Sequence, residues 1–203
     1  MEAKKLTKPL GRPRKFDKEI ALEKAMQVFR RKGYEATSIT DITKELGINR
    51  PSVYSAFGNK EELFAKALVK YIEGPIAYLN EALSEKTSRE VVRKMLMQSV
   101  DLLTSLDSTK GCLVIQSSVS SELEAVGIQQ KIVESLNQHE ENIKERFKLA
   151  IKEGDLPETC NAGLLAKYVT TVHKGLSIQA ANGANRETLY GVVEIVIEGW
   201  PGR

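Results

Sequence analysis

The chain has 203 residues, of which 41% are hydrophobic and 28% charged, enough to bury the core of one ordinary domain or two small ones. No apolar run approaches the ~18 residues that span a bilayer, which excludes a membrane-embedded role on this reading, and two cysteines are too few for a disulfide framework. Residues 1–70 hold 16 Lys/Arg against 9 Asp/Glu, a net of +7, and the rest holds 14 against 18, a net of −4, so a polyanionic partner is expected at the N-terminal end only.

The chain opens with "MEAKKLTKPLGRPRKF", which is basic but lacks the apolar core of a signal peptide. With only two cysteines, Cys112 and Cys160, a reducing cytoplasm is the expected compartment. "GRPRK" at 11–15 reads as an extended arm, because proline opposes a helix there. Its Arg12, Arg14 and Lys15 suit the narrow, electronegative minor groove of A·T-rich DNA.

Four helices follow. Leu22, Ala25, Met26 and Phe29 recur at helical spacing after Asp17, a good N-cap, and the helix stops at Gly33. Ser38 followed by Asp41 starts a second helix, "SITDITKEL", which Gly47 ends. Asn49 caps a short third helix running to about Phe57, and Asn59 with Glu62 caps a fourth, "NKEELFAKALVKYIE".

The third helix carries the informative pattern. At about 100° per residue, Val53, Ala56 and Phe57 share one side, while Pro51, Ser52, Tyr54 and Ser55 spread over the other. Pro51 is tolerated because the first turn needs no N–H from it. Two helices joined by a Gly-containing turn form a helix-turn-helix, whose second helix enters the major groove. Arg50 suits guanine or phosphate, Ser52 and Tyr54 suit phosphates, and Pro51 suits a thymine methyl. Lys60, opening the fourth helix, can neutralise a phosphate beside that helix's positive end.

The stretch "ALEKAMQVFRRKGYEATSITDITKELGINRPSVYSAFGNKEELF" resembles the DNA-binding domain of TetR-family transcriptional regulators over about 50 residues. Phe29, Gly33-Tyr34, Thr37-Ser38-Ile39, Leu46-Gly47-Ile48, Val53-Tyr54, Phe57 and Lys60 carry the resemblance; Thr43 departs from it where alanine is more usual. It implies DNA contact by Thr40, phosphate contacts by Ser52, Tyr54 and Lys60, and sequence-reading roles for Asn49 and Arg50. It also implies an all-α fold of about nine helices, with a C-terminal domain for dimerisation and effector binding. Beyond the fourth helix the resemblance is loose.

The remaining chain also reads as all-α, with helices near 88–105, 110–124, 128–153, 161–182 and 186–199. Pro75 in "YIEGPIAYL" removes the hydrogen bond to the Tyr71 carbonyl, so helix four should kink or break there. This sets a basic arm at 1–15, a DNA-binding domain at 16–70 and a C-terminal domain at 71–203. Apolar positions on the last two helices, Leu165, Tyr168, Val169, Val172, Leu189, Val193 and Val196, are candidates for a four-helix bundle across a two-fold axis.

An effector pocket is expected among Tyr71, Met95, Cys112, Gln116, Ser117, Ser120, His139, Phe147 and His173, where polar groups interleave with apolar ones. Cys112 reads either as a small core hydrophobe or as a reactive thiol. The two histidines follow no metal-ligand spacing, and no nucleophile elbow, P-loop or dinucleotide fingerprint occurs. The expectation is therefore no cofactor, no metal and no enzyme activity. The resemblance implies a homodimeric repressor, expected to be released from a palindromic operator on double-stranded DNA by a small-molecule effector. The alternative is a DNA-bound protein of the same fold controlled by protein partners, and an internal cavity discriminates between the two.

Overall fold

The computed structural model describes residues 16–105, 111–118 and 127–202. Among them the chain is all-helical, and no helix is long and apolar enough to cross a membrane. Helices α1 (Lys18–Lys32), α2 (Ile39–Leu46), α3 (Arg50–Phe57) and α4 (Lys60–Glu73) form the N-terminal unit. A short α5 (Tyr78–Glu81) continues into a 3₁₀ turn (Ala82–Ser84), followed by α6 (Ser88–Leu103), α7 (Leu113–Ser117), α8 (Ile128–Lys152), α9 (Ala162–Ala181) and α10 (Arg186–Glu198).

The helix ends follow local chemistry. Asp17, Asn49, Asn161 and Asn185 cap α1, α3, α9 and α10 through side-chain oxygens. Full capping boxes start α2 (Ser38 with Asp41), α4 (Asn59 with Glu62) and α6 (Thr87 with Glu90). Gly47 closes α2 in the left-handed conformation, with φ 66°, where a side chain would be strained. That turn sets α3 across α2.

The N-terminal core is aromatic. Phe29 meets Phe64 edge-on with ring centroids 4.9 Å apart, and Tyr34 packs on Phe64 at the same centroid distance. Ala25, Met26, Ile42, Val53 and Leu63 fill the rest and are fully buried. The break after α4 has a visible cause: the Tyr71 carbonyl, which Pro75 cannot serve, accepts instead from the Ile76 amide at 3.2 Å. The sequence reading assigns no element to 75–87, where α5 and the 3₁₀ turn lie. It extends a helix over 110–124, of which 113–117 is helical and 119–124 lies outside the described residues.

In the C-terminal unit α6 is central, with α9 and α10 packed on it and α8 along α9. Its first turn holds the chain's end. Arg89 donates to the carbonyls of Ile197, Trp200 and Gly202, and the Trp200 indole donates to the Ser88 hydroxyl at 3.0 Å. Phe147 packs on Trp200 with centroids 5.2 Å apart. Phe147 and Met95 are thus core residues, buried at 0% and 1% exposure, and this removes both from the expected pocket lining.

The expected dimer residues need a larger correction. Val169, Leu189, Val193 and Val196 are buried within the chain's own core, while Leu165 and Val172 are partly covered. Of the seven, only Tyr168 is exposed, at 46%. The exposed apolar side chains on these helices are Leu164 (69%), Tyr168, Ile178 (54%), Val192 (42%) and Ile195 (70%). They fall at helical spacing on the faces opposite the core. Apolar periodicity marks both faces of such a helix, and the denser one belongs to the intrachain core.

Candidate nucleic-acid interface and effector cavity

On α3, Val53 and Phe57 are buried while Arg50, Pro51, Tyr54 and Ser55 are exposed and Ser52 is half-buried. The outward face is therefore the polar one. Asn49 accepts from the Ser52 amide at 3.0 Å, so its Oδ1 holds the helix start and its side-chain amide remains for other contacts. The Arg50 guanidinium donates to the Thr40 hydroxyl of α2 at 2.7 Å. This ties the two helices of the motif together at the expected DNA face. Arg12, Arg14 and Lys15 lie outside the described residues.

Lys60 sits in the first turn of α4 with its ammonium 4.2 Å from the Tyr34 ring centroid, a cation–π contact that restrains the long side chain. Lys66 donates to the Phe57 carbonyl at 2.7 Å and so covers the end of α3. The Asp41 carboxyl is held well below the usual carboxylate range by its bond from Lys32, helped by the Ser38 hydroxyl and amide. Arg31 pairs with Glu45 at 2.9 Å. These contacts link α1 to α2 and α4 to the end of α3.

The second site is a cavity of about 250 Å³ between α4, α5, α7, α8 and α9. Ile72, Ile76, Leu79, Val114, Ile115 and Leu136 give it an apolar wall. His139 and Asn142 of α8 face Thr170, His173 and Lys174 of α9 across it, with Ser135, Gln138 and Asn80 nearby. Cys112, His139 and His173 are the expected pocket residues that do line it. Tyr71 lies buried beside Cys112 without lining it, and Gln116 and Ser117 line a separate cleft against Lys32–Ala36. Ser120 lies outside the described residues. The reading missed Thr170 and Lys174, although with His173 they form an i, i+3, i+4 set on α9.

The cavity is electrostatically distinctive. Burial pushes the His173 imidazole down to about 4, reinforced by His139 and Lys174, and burial also lowers His139. Both rings are therefore neutral at pH 7. The Nε2 of His139 is buried without a hydrogen-bond partner among the described residues. Burial raises the Cys112 thiol, so it is no ready nucleophile. Its amide donates to the Ser177 hydroxyl at 2.8 Å, and Gly111 beside it has φ 78° with space for no Cβ, which would lie 2.6 Å from the Ser177 carbonyl. Among the described residues no cluster of three His, Cys, Asp or Glu could hold a metal.

Residues 21–67 match the sequence profile described as "Bacterial regulatory proteins, tetR family". The chain is 30% identical to the HTH-type transcriptional repressor ComR of Escherichia coli (strain K12), over 96% of this chain and 93% of that protein. It is 29% identical to the repressor BdcR of the same organism, over 93% and 91%. Its fold is similar to that of the TetR-family regulator CifR in a cysteine mutant bound to 26-bp double-strand operator DNA. That match has a TM-score of 0.85 and 36% identity, covering 94% of this chain and all of that one.

Proposed function

The chain belongs to the TetR family of DNA-binding transcriptional regulators, and from that premise we propose that it is a homodimeric repressor that holds a palindromic operator and releases it when a small molecule occupies the cavity. One observation carries this reading: α4 serves both sites. Its N-terminal end carries Lys60 beside α3, and its C-terminal end carries Ile72 into the cavity wall. A ligand that favours one position of α4 thereby favours one spacing of the reading heads. The cavity favours this reading over control by protein partners alone.

DNA contact falls to Arg50, Pro51, Ser52, Tyr54, Ser55, Thr40, Asn49 and Lys60, and the composition of the arm gives Arg12, Arg14 and Lys15, outside the described residues, a minor-groove role. One reading head covers a half-site, so a palindrome requires two. The stripe of Leu164, Tyr168 and Ile178 on α9, beside Val192 and Ile195 on α10, supplies an apolar surface for a four-helix bundle between protomers. The domains divide at about residue 70, within α4. The operator-bound relative CifR supports the same use of the fold.

The test is operator release. Labelled DNA from the protein's own upstream region is titrated in the presence of fractionated small molecules from its host. Wild type should lose affinity roughly 5–150-fold with the active fraction, the range of ordinary allosteric coupling. Ser135→Trp, at an exposed position on the cavity wall, should bind DNA and ignore the fraction. Release that survives this blocked cavity would overturn the reading.

A further inference from the structure

From the groups that converge in the cavity, we infer that its ligand is a small organic anion, a monocarboxylate with an apolar body, whose carboxylate binds between His139, His173 and Lys174. This rests on the effector reading above and gives it a ligand class. The argument starts from the wall's composition. Among its described lining residues there is no Asp or Glu, and the sole charged side chain is the Lys174 ammonium, exposed at the mouth. A cationic ligand would find no counter-charge there. An anionic head would find one ammonium and two imidazoles that become donors at both nitrogens once protonated.

The unpartnered Nε2 of His139 is the second, independent observation. A buried polar atom without a partner is destabilising, and a carboxylate oxygen would satisfy it if the ring carries a proton there. The apolar half has its own lining: Ile72, Ile76, Leu79 and Val114 come from the α4 to α7 part of the chain, whereas His139, His173 and Lys174 come from α8 and α9. At about 250 Å³ the cavity is near the lower end of small-molecule pockets, so the body is a short chain or a single ring.

Protons must follow the anion. His173 is held neutral by burial, by His139 and by Lys174, and a carboxylate beside it offsets all three. The neighbouring Glu140 cannot play that part, because its carboxylate is engaged by Lys167 and by the Thr170 hydroxyl at 3.0 Å. Tyr71 and the Cys112 thiol, the other titratable groups at this end of the cavity, are both raised by burial and stay neutral. Binding therefore takes up a proton, and affinity rises as pH falls through about 6.5 towards 4.

The test uses the full chain with hexanoate and benzoate as probes, and hexanamide and benzamide as their neutral counterparts. Straight-chain acids of four to ten carbons cover other sizes. Melting temperature and calorimetric affinity are read at pH 6 and pH 8. At least one acid should stabilise the protein and bind severalfold more tightly at pH 6, while its amide should do neither. His173→Gln should flatten the pH dependence, and Lys174→Gln, at an exposed position on the cavity lining, should weaken acid binding at both pH values. Amides that bind as well as acids would overturn the anion assignment and leave a small-molecule cavity standing. Silence from acids and amides alike would overturn it together with the effector reading on which it rests.

Discussion

Arg30 of α1 lies with its guanidinium carbon 5.5 Å from the ring centroid of Tyr71 of α4, and both side chains are buried. Arg30 donates one bond, to Gln27 at 3.1 Å, while its Nε and Nη2 find no hydrogen-bond partner among the described residues. The Tyr71 hydroxyl faces the Cys112 thiol, which lines the cavity. A chain of contacts thus runs from the DNA-binding unit to the cavity through a charge held mainly by an aromatic face.

Because the Tyr71 ring carries the contact and its hydroxyl contributes little, Tyr71→Phe should leave stability within about 0.5 kcal/mol of wild type. Tyr71→Ala should cost about 3–5 kcal/mol by opening a core cavity. Arg30→Met, similar in length and without charge, should be neutral or stabilising, since the buried guanidinium is only partly satisfied. Chemical denaturation of the three variants checks these values.

At the proposed subunit face, Ile195→Asp or Leu164→Asp should yield a folded monomer with unchanged helix content, because both side chains are exposed in the single chain. Val193→Asp and Val169→Asp should instead unfold it, since a carboxylate in the intrachain core lacks any partner. Light scattering with circular dichroism separates the two outcomes.

The His173 imidazole gives a pH signature. Its folded-state pKa of about 4 lies below the ordinary value of 6.5, so the unfolded chain binds the extra proton between those limits. Stability should fall as pH drops from 6.5 towards 4, by at most about 1.4 kcal/mol per pH unit from this group. His173→Gln should show a correspondingly shallower loss in melting temperature over the same window.

The break after α4 is the candidate hinge. Gly74→Ala/Pro75→Ala restores an amide for the Tyr71 carbonyl, although a methyl added at Gly74 would sit 3.1 Å from the Lys70 carbonyl and crowd it. The double variant should bind operator normally and lose most of its response to ligand. An undiminished response in gel-shift titrations would remove the hinge.

The DNA-binding unit was legible because its determinants are local. Caps at Asp17, Ser38, Asn49 and Asn59, the glycine turn at Gly47 and the two-sided α3 are all set by residues within a few positions of one another. The cavity was less so, since Ile72, Cys112, His139 and His173 meet only through tertiary packing of four separate segments. His139 and His173 stood out as the chain's only histidines, whereas Thr170 and Lys174 look like ordinary polar positions on a solvated helix. The burial of Val169, Leu189, Val193 and Val196 within the chain was hidden for a related reason. Val193 and Ile195 are equally apolar in sequence, and only the position of α6 decides which one is inside.

The most direct test of the account is an anisotropy titration of wild type and Arg50→Ala against an upstream palindrome and a scrambled duplex, across a salt series. Wild type should saturate at two protomers per palindrome, favour it strongly over the scrambled duplex, and weaken with salt at a log–log slope near −0.9 per neutralised phosphate. Arg50→Ala should lose about 1–3 kcal/mol of that preference while retaining much of the scrambled-duplex affinity. Equal affinity of wild type for both duplexes, or binding indifferent to salt, would contradict the assignment of α3 as the reading helix.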